Sequence, residues 1–345
     1  MRKLLGVIVL VLCFQCTQAQ SVGEGKNLLQ RFADWRENSM MKGVDTSYIY
    51  LPKKGWLVRT NLYVSNINLT EKFSNVNTVD YVTFNMNTGA SWKPNISLAY
   101  RGLELGYGID FAHRYNRDLR LQLHGKRFGG EFHYLTFKGA SSYIESNLLQ
   151  PNNIFYFDDC PINAKRIAVN AYYVFNVKTF SYPAGIKQTF FQKKSSGSFI
   201  AGAAFSHNDL STDSVMVGTP TIQQMLSGDR RVKCNQIAIG GGYAYNFIFR
   251  DFPLLLHASV MPMLAYTFNA HIYKDGVETT VDHIGSDKHP LGPSIAARAA
   301  LSYALSDDLL LGANVNYNYF WSDLSDHFAL TTYNITGLAY LAYRF

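Results

Sequence analysis

The chain has 345 residues with 23 Tyr and 23 Phe, and only 17% of it is charged, against roughly 25% in ordinary globular proteins. Mean hydropathy is −0.08, and past residue 20 no apolar run reaches the ~18 residues of a spanning helix, which excludes a helical membrane protein. The formal charge of +7 is spread along the chain, too diffuse to bind nucleic acid, and no cofactor fingerprint or metal-ligand spacing stands out.

Arg2 and Lys3 precede the apolar run Leu4 to Phe14 and the segment Thr17-Gln18-Ala19-Gln20. This is the pattern of a secretory signal cleaved after Ala19, since the apolar run is too short to cross a bilayer. Cys13 and Cys16 leave with the signal, so Cys160 and Cys234 are the remaining thiols. An oxidising compartment would permit their pairing, which spacing alone leaves open. Over residues 20–55, Leu28, Leu29, Phe32 and Trp35 recur at helical spacing among charged neighbours, predicting a short amphipathic helix in the periplasm. Such a helix either packs on a barrel rim, the reading we favour, or enters the lumen as a plug.

From Trp56 onward the chain alternates with period two, the signature of strands whose faces meet different media. The predicted strands are 56–66, 95–101, 103–111, 118–125, 129–138, 167–177, 197–207, 235–249, 253–269, 293–305, 309–322 and 332–345. Tight turns alternate with long connections, as in outer-membrane barrels with short periplasmic turns and both ends periplasmic. One connection breaks the rule. Lys178 to Ser196 occupies a tight-turn position but is long.

The last strand shows the pattern most sharply. Tyr333, Ile335, Gly337, Ala339, Leu341, Tyr343 and Phe345 form an apolar column, while Thr332, Asn334, Thr336, Leu338, Tyr340, Ala342 and Arg344 form a largely polar one. Tyr343 and Phe345 are expected to close the barrel at a lipid interface and present the final strand to the barrel assembly machinery. The strand directions place Trp56, Phe132, Tyr134, Tyr173, Phe175, Phe199, Phe247, Phe249 and Tyr303 at the same edge. Phe111, Phe205, Tyr266, Phe268, Tyr317, Tyr319, Trp321 and Tyr333 fall at the opposite one. Two aromatic belts in contact with lipid argue for an all-β fold, a single transmembrane antiparallel barrel of about twelve strands, over a soluble sandwich with a charged outer face.

Tyr100-Arg101-Gly102-Leu103-Glu104-Leu105, Gly125-Lys126-Arg127-Phe128-Gly129, Tyr172-Tyr173-Val174-Phe175-Asn176, Phe180-Ser181-Tyr182-Pro183-Ala184, Gln192 to Ser198 and Gly241-Gly242-Tyr243 resemble a Bacteroidetes outer-membrane family, domain of unknown function 4421. The resemblance covers most of the mature chain and implies a barrel in the outer membrane, with no activity to transfer. Its densest cluster includes the anomalous connection. Phe180, Ser181, Tyr182, Gln192, Lys193, Lys194, Ser195, Gly197 and Ser198 are therefore the candidate partner-docking segment.

Inward-column polar residues include Arg59, Glu104, Asp110, Arg120, His124, Glu131, His133, Arg298, Asn314 and Asn316. They either fill the lumen as a network or line a path for a small polar solute. Ser206, His207 and Asp209 offer the residue types of a lipid or lipopolysaccharide hydrolase or acyltransferase at the extracellular rim, which only geometry can test. We favour non-enzymatic solute binding or passage, or docking of an envelope protein.

Overall fold

The structure is a computed structural model and describes residues 28–74, 81–87, 91–109, 117–138, 141–146, 153–157, 162–212, 230–249, 252–279, 291–325 and 328–345. The signal segment 1–19, Asp110, Phe111 and Cys160 lie outside the described residues.

Helix α1 (Leu28–Met41) forms where the apolar spacing predicts it, and Gly43, at φ 77°, makes the left-handed turn that follows it. The strands are β1 (Ile49–Tyr50), β2 (Trp56–Ser74), β3 (Tyr81–Asn87), β4 (Ser91–Tyr100), β5 (Leu103–Ile109), β6 (Arg117–His124), β7 (Phe128–Lys138), β8 (Ser141–Ser146), β9 (Asn153–Phe157), β10 (Ile162–Val174), β11 (Phe191–Gln192), β12 (Ser196–Thr212), β13 (Arg230–Phe249), β14 (Leu254–Lys274), β15 (Val277–Thr279), β16 (Leu291–Ala304), β17 (Leu309–Ser325) and β18 (Phe328–Arg344). A second helix, α2 (Tyr182–Lys187), lies between β10 and β11.

Twelve of these strands close a ring in the order β2-β4-β5-β6-β7-β10-β12-β13-β14-β16-β17-β18, and β18 pairs back onto β2. Closure leaves the wall no free edge, the condition for crossing a membrane with strands. Trp56 and Phe345 seal the seam by reciprocal backbone hydrogen bonds of 3.2 and 3.1 Å. The end of the barrel they mark is called here the near rim.

Each of the twelve predicted strands corresponds to a wall strand, but six other described strands were missed, among them the two-residue β1 and β11. β3, β8, β9 and β15 fall inside or at the edge of stretches read as long loops, and β2 continues to Ser74 rather than Asn66. Away from the lipid band the two faces of a strand no longer meet contrasting media, so alternation fades while backbone pairing continues.

Along β18, Ile335, Ala339, Leu341, Tyr343 and Phe345 are exposed, whereas Thr332, Asn334, Thr336, Tyr340, Ala342 and Arg344 are buried. The same division runs around the wall. Ile96, Ile239, Val260 and Leu264 point outward and are more than half exposed, so the exposed band is apolar and the interior polar. That inversion excludes the sandwich and defines a lipid-facing surface. An Ile239→Arg substitution in this band is expected to cost about 2–4 kcal/mol in vesicles. Urea unfolding of the reconstituted barrel measures it, and a neutral result would place the residue outside the hydrocarbon.

Aromatic rings gather at the near rim. Trp56 stacks near Phe345 at 6.5 Å, and Tyr173 meets Phe128 and Phe175 edge-on, each at 4.9 Å. Phe132 and Tyr134, assigned to this rim from sequence, sit farther along the wall, opposite Val169 and Ile167. Phe128 takes the rim position instead, because β7 begins one residue earlier than predicted. The β4–β5 turn uses positive φ at both Arg101 (46°) and Gly102 (85°), the backbone a two-residue hairpin requires. The Arg101 guanidinium then donates to the carbonyls of Pro52 and Lys53 at 2.6 and 2.9 Å, fixing the chain entering β2.

Candidate functional site

The anomalous connection does not hang away from the barrel. After β10 it folds into the lumen. Ser181 caps α2 by accepting a 3.2 Å hydrogen bond from the Ala184 amide, Pro183 suits the first turn, and Gln188 ends the helix at φ 52°. Residues 182–186 are all buried. Phe180, Tyr182 and Ile186 pack with Val174, Val177, Ile200 and Ala244. Beyond the helix, β11 pairs with β1, so the segment is tied at both ends.

Polar contacts hold it from the wall. Asn246 donates to the Ser181 carbonyl at 2.8 Å, and Gln192 accepts from the Ser181 amide at 3.0 Å. Arg59 donates to the Lys187 carbonyl, and Arg344 to that of Gln188 at 2.6 Å. The Lys187 ammonium lies 3.3 Å from Glu104, which also receives Arg59 at 2.6 Å. Two cations thus share one buried carboxylate, and the Lys187 carbonyl takes a further donor of the Arg59 guanidinium.

The proposed docking segment therefore needs correction. Phe180, Ser181, Tyr182 and Gln192 are buried and cannot meet a partner, while Gly197 and Ser198 belong to wall strand β12. Lys193, Lys194 and Ser195 remain exposed. The ammonium groups of Lys193 and Lys194 sit 5.0 and 4.8 Å from the ring centroids of Tyr50 and Tyr48.

Above this floor the lumen is crossed by an ion pair. Arg298 on β16 donates to both oxygens of Glu131 on β7, at 2.7 and 2.9 Å. Four strands separate β7 from β16 along one side of the ring, so the pair spans the interior. His124 lies 3.8 Å from the same carboxylate and bonds the Tyr172 hydroxyl at 2.9 Å. A cavity beside the bridge measures about 50 Å³ and is lined by Tyr172, Tyr182, Met261, Asn170, Asn316 and Arg298 among others. That is room for a few waters, not for an organic solute.

Farther from the near rim, Arg120 grips Asp118 through two hydrogen bonds of 2.9 and 2.7 Å and lies 3.6 Å over the Tyr63 ring. His133 meets the same carboxylate at 2.9 Å. Asn314 is buried, and Asn316 donates to Thr336 at 3.2 Å. Every described residue of the inward set is buried or half-buried. The pairing partners were not all foreseen. Asp118 was legible as a same-face neighbour two residues before Arg120, but nothing local marked Lys187, Tyr172 or Tyr182.

The hydrolase constellation is not assembled. Ser206 is buried and donates to Gln236 at 3.4 Å, whereas His207 lies on the opposite face and bonds Asn235 at 2.8 Å. Asp209 is held by Arg231 through two bonds of 2.7 Å. Adjacent strand residues point to opposite faces, which separates Ser206 from His207. Cys234 is a buried free thiol with Asn208 at 3.9 Å. At the near rim, Lys54 donates to Asp308, a bond that raises the ammonium above its ordinary value.

A closed antiparallel ring with an apolar exterior and a polar, ion-paired interior defines the molecule as a transmembrane β-barrel. The chain belongs to the family described as Domain of unknown function (DUF4421), whose model matches residues 43–345. No curated protein matches the chain. Among solved structures it is similar to the outer membrane protease OmpT of Escherichia coli, with 11% identity, TM-score 0.43, and 86% of this chain and 99% of that one covered. The translocator domain of the autotransporter NalP from Neisseria meningitidis follows at 10% identity and TM-score 0.34, with 91% and 95% covered. OprG from Pseudomonas aeruginosa stands at 7% identity and TM-score 0.29, with 86% and 98% covered. Likenesses of this order carry nothing about activity.

Proposed function

We propose that this protein is a non-enzymatic outer-membrane barrel that does not conduct at rest. In this reading both wall ends face the periplasm, the final strand is the one the assembly machinery receives, and the near rim docks an anionic envelope partner. The filled lumen carries the argument, with the segment between β10 and β12 as its floor and the Arg298–Glu131 pair across its middle. A pore would need that volume free. Docking is favoured by exposed Lys53, Arg127, Lys178, Lys193 and Lys194 at the near rim, where the nearby acids are Asp45, Asp307 and Asp308. A positive rim draws acidic surfaces and restrains wrong partners.

Two measurements test the reading together. Purified protein in planar bilayers is expected to show no steady current, and a stable conductance in plain salt would replace docking with passage. Lys193→Glu combined with Lys194→Glu is expected to keep a heat-modifiable barrel while losing envelope proteins that co-purify with the wild type. Unchanged co-purification would remove the near rim as the docking face.

A further inference from the structure

Among the described residues, most buried charges of the lumen have an identified partner. Glu104 serves Arg59 and Lys187, Glu131 serves Arg298, and Asp118 serves Arg120. Carbonyl oxygens receive Arg101 and Arg344. Lys93 and Glu71 are both engaged. Arg166, on the interior face of β10, is 9% exposed, and its Nε is buried without a hydrogen-bond partner. Among the described residues no carboxylate pairs with it.

A charged side chain whose Nε–H is held out of water with no acceptor is costly unless an anion joins it. The surroundings suit one. Arg166 lies four residues beyond Asn170, which lines the cavity at the Glu131 bridge, and so stands on the side away from the near-rim floor. Among the described residues, the titratable groups near it are Tyr63, His133 and Cys234, none of them a carboxylate. His133 and Arg120 already satisfy Asp118, so that carboxylate has no spare charge to offer.

We propose that Arg166 is the anchor of an oxyanion site in the far half of the lumen, taking a small carboxylate or phosphate. A guanidinium presents its donors as a planar fork that matches two oxygens of either group. Tyr63 and His133 flank the site and supply further hydrogen-bonding groups once the anion is present. The site is independent of docking at the near rim.

Equilibrium dialysis of the detergent-solubilised barrel against inorganic phosphate, and separately against acetate, tests the assignment. Saturable binding of one anion per chain is expected, with phosphate alone or acetate alone naming the preferred oxyanion. Arg166→Gln is expected to weaken binding about tenfold or more, whereas Arg117→Gln, at an exposed position of β6, leaves it unchanged. Arg166→Met supplies a second reading: without anion it should unfold no earlier than the wild type, and phosphate should raise the Tm of the wild type alone. Absence of saturable binding of both anions, or wild-type binding by Arg166→Gln, would overturn the proposal.

Discussion

Arg298→Ala is expected to destabilise the barrel by about 3–5 kcal/mol. The substitution removes one end of a bridge whose other end, Glu131, is only 13% exposed in its side chain and is held by two hydrogen bonds from Arg298. His124, at 3.8 Å, is too far to replace them. What is lost is less the attraction itself than the shelter of the carboxylate that stays behind. Replacing both residues, Arg298→Met with Glu131→Leu, should recover most of the loss, because neither charge then needs a partner. Urea unfolding in micelles, followed by the heat-dependent shift in gel mobility, reads the three proteins side by side. A loss below about 1 kcal/mol for Arg298→Ala would mean that the bridge is as water-screened as a surface pair.

Gly185→Leu should release the inward segment. A β-carbon at Gly185 would stand 2.5 Å from His257 Nδ1 and 2.6 Å from Asn246 Oδ1. Those two side chains are fully buried and bonded to each other at 2.7 Å, and Asn246 also holds the Ser181 carbonyl. Neither can retreat without leaving a buried polar atom unpaired. Overpacking and a broken hydrogen bond together should cost about 3 kcal/mol, enough to favour an ejected segment over a strained one. Limited proteolysis is the direct measurement, with new cleavage between Phe180 and Gln192 in a barrel that still shifts on heating. Wild-type resistance to protease would show that the helix adapts in place.

The two substitutions probe different layers of one seal. Arg298 and Glu131 tie opposite walls, so their loss acts on the barrel itself. Gly185 lies on the floor, so its replacement should act mainly on a segment that the wall strands do not need for their own pairing. If ejecting the floor leaves bilayer currents absent, the Arg298–Glu131 layer is the barrier. If currents appear, the floor is.

Local pattern carried much of this architecture. Alternation along β18, from Thr332 through Phe345, stated which side chains meet lipid and which face inward, because a strand turns its residues to opposite sides wherever it lies. The same rule put Arg59, Glu104, Arg120, His133 and Arg298 on the interior without knowledge of any neighbour. Turn chemistry worked in the same way at Arg101-Gly102.

Pairing and destination were beyond that rule. Arg298 and Glu131 are separated by 167 positions, and Arg59 and Glu104 by 45. Their meeting depends on how many strands close the ring and with what stagger. Sequence length marked Lys178 to Ser196 as unusual for a tight turn, yet whether it turned outward or inward depended on acceptors and donors brought together from β2, β13 and β18. Ring closure, a long-range event, decided which of the described inward residues became partners and left the Arg166 Nε without one.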